Sequence, residues 1–489
     1  MWPNVYQTLK SDYSKLLPIM GLAFYIAFMP HQSSPLPVHI DEWFHWALAN
    51  EVMSKASVSG LNEPFFGGAP VWNQLFELGF SVFFGVFQKI SGLPWLLMIR
   101  YFPGIIFMIT VLSAYVLARR QGFGWQAALF AALVPTTVGV LGPGFLVPVG
   151  MGLLFIPLSI FLVFNFKTTG AYVTLAVFVL FLASMHAATA IGIAIIVAPF
   201  LLLDLRKDLK HSLLTVLVFT VPLLAAFPWV FALFLEQARA VLNPVQVTWY
   251  VDIPRLIKNM GYPLLALFLL GIFVMALRGG KRNFGLILGC LALFAVLSIF
   301  FTLHYGIPSI YERGLVYAML VAGIVAGAGL SAVQDIRLPT ALYARQKTPV
   351  VIRSVGPILC LAAIGLTLAT SIPLRQQTPY YHMITPADYE AFVWIRDNVA
   401  GDYDRAILDP WKTTAFTAVT GKKVFARTHT YPTPKDALAY EFLRGGGANT
   451  TLMRENGISI VYNEVKSSNP DLVEVRKNVY LLREPEKGR

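Results

Sequence analysis

The sequence predicts a polytopic α-helical membrane protein with a small soluble α/β domain at its C-terminal end. Three observations predict it. Hydrophobic residues fill 56% of the 489 positions, charged residues only 13%, and the mean hydropathy is +0.63, a balance typical of membrane chains. The apolar residues fall into runs long enough to cross a bilayer, joined by short connections that carry the basic residues. The pattern then stops near residue 372, after which charged residues become frequent and no span-length run remains.

Lys10 and Lys15 precede the first apolar segment, about residues 16–32, which places the N-terminus on the cytoplasmic side. A cleaved signal peptide is disfavoured, because no small-x-small site follows Met29 and Pro-rich sequence comes next. A long first outer loop, 31–94, leads to further spans at about 95–118, 125–141, 148–166, 170–186, 187–203, 212–234, 262–278, 284–302, 314–333 and 350–372. The connections Arg119-Arg120, Lys167, Arg206-Lys207-Lys210, Arg278-Lys281-Arg282 and Arg337-Arg345-Lys347 then alternate onto one face, giving about 11 transmembrane helices and an outer C-terminus. Val71 to Ile90 is apolar enough to tempt a span, but counting it would invert every later loop. With Asn73, Gln74 and Glu77 at one end and Gln88-Lys89 at the other, between Trp72 and Trp95, it reads as a helix lying along the outer interface.

The net charge of +12 is explained by these orienting clusters, so nucleic acid is not an expected partner. Cys290 and Cys360 both lie inside apolar runs, which leaves no disulfide framework and no metal-type spacing. A longer outer loop at about 235–261 carries Glu236, Arg239, Asp252, Arg255 and Lys258. No repeat of fixed period is visible.

Two domains follow: a membrane domain, 1–372, that includes the first outer loop, and a soluble extracytoplasmic domain, 373–489. In the latter, Ala387 to Val399 has helical periodicity with Phe392, Trp394 and Ile395 on its apolar face. Arg405 to Leu408, Lys423 to Phe425 and Ile458 to Tyr462 read as strands. Asp436 to Arg444 is a second helix, stopped by Gly445-Gly446-Gly447.

The chemistry-bearing run is His39-Ile40-Asp41-Glu42-Trp43-Phe44-His45-Trp46, at the head of the first outer loop. Charge beside hydrocarbon is expensive and marks function. On a helix beginning near Asp41 both acids occupy the first turn, where the dipole favours them, so capping alone also accounts for an acid there. Functionally, such a carboxylate takes a proton from an acceptor hydroxyl or holds a divalent cation, Mg or Mn, with His39 and Asp41 as ligands. His39 and His45 either join the site or hydrogen-bond to the carboxylates. Arg100, one or two turns into the second span, and Arg313, after Glu312 at the start of the tenth, suit bidentate grip on a phosphate; snorkelling or pairing with Glu312 is the structural alternative. His186 lies at the outer end of a helical hairpin and reads as a satisfied buried histidine or a substrate contact. The Gly142-Pro143-Gly144 turn has no phosphate-loop signature, and Asn449-Thr450-Thr451 is a short glycosylation pattern.

An acidic pair in a long first outer loop, followed by a span opening on Arg100-Tyr101-Phe102-Pro103 and closing on Arg119-Arg120, resembles the GT-C superfamily of multi-spanning glycosyltransferases. Asp41-Glu42 looks like the Asp-Glu pair of protein O-mannosyltransferases and of the aminoarabinose transferase of lipid A. It also resembles the first acidic motif of the oligosaccharyltransferase catalytic subunit. Gly68 to Pro103 looks like the family's juxtamembrane helix and following span. Two departures stand out. The second outer loop, near Gly142 to Pro148, has no acid, and Asp409-Pro410-Trp411-Lys412 does not match the Trp-Trp-Asp-Tyr-Gly run of oligosaccharyltransferase.

The resemblance implies an inverting glycosyltransferase of the plasma membrane, moving one sugar from a polyprenyl-phosphate donor to a protein, glycan or lipid acceptor on the extracytoplasmic side. Asp41 would be the base, Glu42 its support, and Arg100 and Arg313 the phosphate contacts, with His45, Glu312 and His186 as further substrate-side residues. The alternatives are a transporter or flippase of lipid-linked sugars, for which the expected repeats and midplane charges are not visible, and a non-catalytic relative that only binds such lipids.

Overall fold

The computed structural model describes residues 12–58, 61–68, 77–137, 139–222, 224–225, 253–336, 355–378, 380, 382–429 and 432–483. Lys10, Trp72, Asn73, Gln74, Glu236, Arg239, Asp252 and the basic residues Arg337, Arg345 and Lys347 lie outside the described residues. The chain divides into two compact units, one of residues 1–32 and 100–380, the other of 33–99 and 381–489. The first outer loop thus shares a unit with the C-terminal residues, whereas the sequence-based division placed 31–94 with the spans.

In chain order the helices are α1 (Asp12–Phe28), extended by a 3-10 turn to His31, then α2 (Ile40–Lys55), α3 (Leu78–Ser91), α4 (Trp95–Arg119), α5 (Gly124–Ala131), α6 (Pro148–Asn165), α7 (Thr169–Met185) and α8 (Ala187–Leu205). There follow α9 (Leu209–Pro222), α10 (Ile253–Met260), α11 (Tyr262–Arg278), α12 (Lys281–Leu303), α13 (Pro308–Gln334) and α14 (Val355–Gln376). Among the described residues seven helices are long and apolar enough to cross a membrane, or eight if α10 and α11, which meet at a 96° bend, form one span. α3, α7 and α9 are apolar but shorter, so the described residues do not confirm the expected count of eleven. α3, at 14 residues, is too short to cross a hydrocarbon core of about 30 Å. It buries Leu78, Phe80 and Phe84 and exposes Phe83, Val86, Phe87 and Ile90, the amphipathic character of an interfacial helix.

The expected span at 125–141 is corrected. Only α5 forms, and residues 132–137 and 139–147 run without a helix although nearly all are buried. Pro135 explains the break, since it lacks an N–H and disfavours the helical region for the residue before it. Non-helical backbone among spans is tolerated only where protein satisfies it. Here Gly144 N–H donates to Thr136 Oγ1 at 2.8 Å, His31 Nε2 donates to Gly144 O at 3.0 Å, and Tyr380 OH donates to Thr136 O at 3.3 Å. The buried Arg375 guanidinium donates to Leu133 O and, at 2.7 Å, to Ser371 O.

α13 is the centre of this unit, with 89% of its apolar window buried. Small residues let neighbours reach its backbone, the usual device where no hydrophobic drive separates helix from lipid. A β-carbon at Gly329 would overlap Leu267 O of α11, and one at Gly327 would overlap the Ala127 backbone of α5.

The other unit holds α2, α3, and the C-terminal elements α15 (Pro386–Asn398), α16 (Thr413–Thr420), α17 (Pro434–Arg444) and α18 (Thr450–Glu455), with strands β1 (Arg405–Ile407), β2 (Lys423–Val424), β3 (Ile460–Tyr462), β4 (Leu472–Arg476) and β5 (Val479–Leu482). The sheet order is β2-β1-β3-β5-β4, with β1 parallel to both neighbours and β5 antiparallel to β3 and β4. The first outer loop is bound into this domain. Val424 N–H donates to Phe65 O at 2.7 Å, Arg405 to Phe66 O at 3.1 Å, and Asn50 to Ala418 O at 3.0 Å.

Gly329→Ala is expected to lower the thermal unfolding midpoint of the purified protein, by the equivalent of about 1–3 kcal/mol for overpacking. Gly365→Ala, where a β-carbon meets nothing within 4 Å, is expected to leave it unchanged or raise it slightly. Equal midpoints for the two variants would remove the close-approach argument.

Candidate functional site

α2 begins with a capping box in which histidine takes the usual serine place. His39 is extended (φ −130°, ψ 145°), and its Nδ1 accepts the Asp41 N–H at 3.1 Å. Glu42 closes the box from the other side: its Oε2 accepts the Val38 N–H at 3.0 Å and the His39 N–H at 3.2 Å. Glu42 is 1% exposed, so its charge is held by backbone donors and the helix N-terminus rather than by water.

Asp41 is the neighbour left at the surface of the box. His429 Nε2 donates to its Oδ1 at 3.1 Å, and His39 Nδ1 lies 3.6 Å from its Oδ2. The sequence reading did not find His429, which follows β2 and lies 388 positions away with no motif around it. The Phe44 ring meets the His429 ring edge-on at 6.1 Å. Beneath them Arg427 rests on Phe65 at 4.1 Å and Phe44 at 5.5 Å. Burial pushes its guanidinium below the usual arginine range, while Glu63, Asp41 and Asp436 pull it back up. Asp41 therefore lies in the field of a partly buried cation as well as beside an imidazole.

His45 lies on another face. Its Nδ1 is 3.1 Å from Ser81 Oγ and its Nε2 lies 3.4 Å from Glu77 Oε2, with the Phe80 ring edge-on at 4.8 Å, so it ties α2 to α3. For the proposed divalent cation, His39 has its Nδ1 occupied by the cap and Glu42 is spent on backbone. Hard ions take about six oxygen ligands. Among the described residues no group of three or more His, Cys, Asp or Glu is gathered to hold one, so the ligand set does not fit and no step below passes through a metal.

A second polar feature of this unit lies where β1 and β3 end side by side. From β1 the chain crosses to β2 on one side and returns past it to β3 on the other, and the carboxyl ends at such a switch point form a crevice. Tyr440 OH donates to Asp409 Oδ1 at 3.1 Å, and Lys412 Nζ donates to Asp388 at 2.9 Å and Glu464 at 3.0 Å. Burial and Asp409 push the Tyr440 hydroxyl up to about 12. Burial works against the Asp388 charge, yet the Thr385 N–H, Tyr462 and Lys412 together hold its carboxyl below the usual range. A backbone bond of 3.1 Å from Thr428 N–H to Pro410 O connects this crevice to the segment after β2 that bears His429.

The remaining candidates belong to the other unit. The Arg100 guanidinium lies 5.5 Å from the ring centres of both Phe28 and Tyr101, and its buried Nε has no hydrogen-bond partner among the described residues. Arg313 makes a loose ion pair with Glu312 at 3.8 Å. His186, 2% exposed, is 2.7 Å from Thr189 Oγ1 and 3.2 Å from Tyr317 OH, a buried network that pins α8 to α13. Asn449 caps α18 by accepting the Leu452 N–H at 2.9 Å.

Glu42→Ala leaves the Val38 and His39 N–H groups buried without their acceptor, and is expected to destabilise the protein by about 1–3 kcal/mol. Asp41→Asn keeps the cap and is expected to melt within a degree or so of wild type. Thermal unfolding of both variants checks the division, and equal losses would refute it.

No known family pattern matches the sequence, and no curated protein matches it in sequence either. The likeness is in three dimensions. The oligosaccharyltransferase of Archaeoglobus fulgidus superposes with a TM-score of 0.62 at 14% identity, over 92% of this chain and 69% of that one. ArnT from Cupriavidus metallidurans, solved with undecaprenyl phosphate, gives 0.57 at 12% identity over 96% and 97% of the two chains. The arabinofuranosyltransferase AftD from Mycobacteria gives 0.57 at 17% identity, over 94% of this chain but 37% of that one. The chain therefore has the fold of the GT-C membrane glycosyltransferases.

Proposed function

We propose that this protein is an inverting glycosyltransferase that moves a sugar from a polyprenyl-phosphate donor to an acceptor on the extracytoplasmic side of the membrane. The observation that carries the reading is the Asp41 carboxylate, presented at the start of α2 with His429 on one oxygen while Glu42 is consumed by the cap. The fold supports it, since one neighbour was solved with undecaprenyl phosphate and another with an acceptor peptide.

In this reading the acceptor oxygen attacks the anomeric carbon while the bond from that carbon to the phosphate oxygen breaks. Asp41 takes the acceptor proton as the new bond forms. The electron pair of the broken bond leaves with the polyprenyl phosphate. Arg100 and Arg313 meet that charge, and the Nε of Arg100, without a hydrogen-bond partner among the described residues, supports the assignment. His429 orients the Asp41 carboxylate, and Glu42 orients the residue by fixing the first turn. The crevice of Asp409, Tyr440 and Lys412 offers the carboxylates and aromatic hydroxyls that suit the hydroxyl groups of an acceptor. The N-terminus is cytoplasmic and the C-terminal domain extracytoplasmic.

Membranes carrying wild type or Asp41→Asn are to be supplied with a set of polyprenyl-phosphate sugars. Loss of a general base predicts a fall in transfer of about 10²–10⁴-fold. Equal transfer would defeat the assignment, and lipid movement without any transfer would favour a flippase. Orientation is tested with single cysteines, because the native Cys290 and Cys360 are buried. Gly280→Cys is expected to react with an impermeant maleimide only in opened membranes, and Lys466→Cys also in sealed ones. The reverse pattern would invert the topology.

A further inference from the structure

At the end of the spans that carries the basic connections, the unit formed by 1–32 and 100–380 contains an open cleft of about 820 Å³. Its walls bring together Arg120, Lys167, Lys207, Lys281 and Arg282 from four separate stretches of chain. Orientation in the membrane explains why cations lie on this side; it does not explain why they converge on one cavity.

The charge balance leaves a surplus. The fully buried Asp204 pairs with Lys281 and lies 3.7 Å from Lys167, which also pairs with Asp208. Among the described residues Arg120, Lys207 and Arg282 have no carboxylate within ion-pair distance. Two of the five cations are thus neutralised and three are not. The surplus groups are also held in place. Arg120 lies over the Phe161 and Phe166 rings at 5.5 and 5.3 Å, and Arg282 Nε donates to Phe164 O at 3.2 Å. The N-terminus of α12 opens into the same cleft, and its N-cap, Gly280, supplies no side chain to the first-turn N–H groups.

We infer that this cleft binds the phosphate of an anionic phospholipid headgroup, at a site separate from the one that handles the donor. Basic pockets between spans are suited to such headgroups. The lipid source is favoured over a free ion by what flanks the cleft. On either side of the Gly279-Gly280 turn, Leu277 and Phe284 are 72% and 41% exposed, giving acyl chains an apolar path directly beyond the cations. A headgroup there ties the ends of α6, α8 and α12 together across their connecting loops.

The test uses the purified full-length protein in neutral detergent, titrated with dioctanoyl phosphatidylglycerol, dioctanoyl phosphatidylcholine or inorganic phosphate, and read by native mass spectrometry and thermal midpoint. Phosphatidylglycerol is expected to bind and raise the midpoint, with phosphatidylcholine and phosphate at least tenfold weaker. Arg120→Gln with Lys207→Gln, which leaves both Asp204 pairs intact, is expected to weaken the phosphatidylglycerol complex by about tenfold or more. Arg454→Gln with Lys466→Gln removes the same charge from exposed positions of the C-terminal domain and is expected to change nothing. The inference is overturned if phosphatidylcholine binds equally, if phosphate binds as tightly as the lipid, or if the two double variants behave alike.

Discussion

Every backbone polar group taken out of water needs a partner inside the chain, and in this protein that requirement decides where two of its buried charges go. Glu42 is buried because two backbone N–H groups at the entry to α2 need an acceptor. Arg375 is buried because the carbonyls left over where α5 ends need a donor. Neither placement would be stable for an isolated ion, and both become so when the ion replaces the hydrogen bonds of a missing helical turn. Two charges that look functional in a membrane sequence are thereby assigned to the fold.

That assignment separates the roles of adjacent carboxylates. A carboxylate accepting two backbone bonds at 1% exposure is poorly placed to exchange a proton with a substrate. Asp41, one residue earlier, is turned out of the cap and meets an imidazole and the field of a partly buried guanidinium. The cap fixes the first turn, and the first turn fixes the direction of Asp41. Contact of the loop with β2 through Phe65, and of Phe44 and Phe65 with Arg427, holds the helix in that position.

Much of this was legible in the sequence, and the failures have physical causes. The long spans were read from apolar length alone, and β1 to β3 from short apolar runs between turn residues. Residues 125–141 are as apolar as the true spans, so composition could not reveal that Pro135 ends the helix and that Arg375 and His31 replace its bonds from far along the chain. α16, half of it Thr, folds as a helix against its β propensity because it is almost wholly buried. The Asp41-Glu42 pair stood out in the sequence as a candidate, but an acid in a first turn serves capping and chemistry alike. Only the observed bonds tell the two residues apart. His429 had no local signal at all.

The division of the two acids also bears on mechanism. A route through a covalent glycosyl intermediate needs a nucleophile and an acid–base group facing the same bond. Here the second carboxylate of the motif is locked behind the backbone, and Gly142 to Pro148 contributes none. What remains at the head of α2 is one carboxylate with a hydrogen-bonding imidazole, which is the equipment for removing a single proton. In the proposed reaction the leaving group requires no acid, because a phosphate would depart as an anion and need cations instead. Single displacement with one base is therefore the route that asks nothing more of these residues than they supply, and it is the reason the proposed reading is inversion.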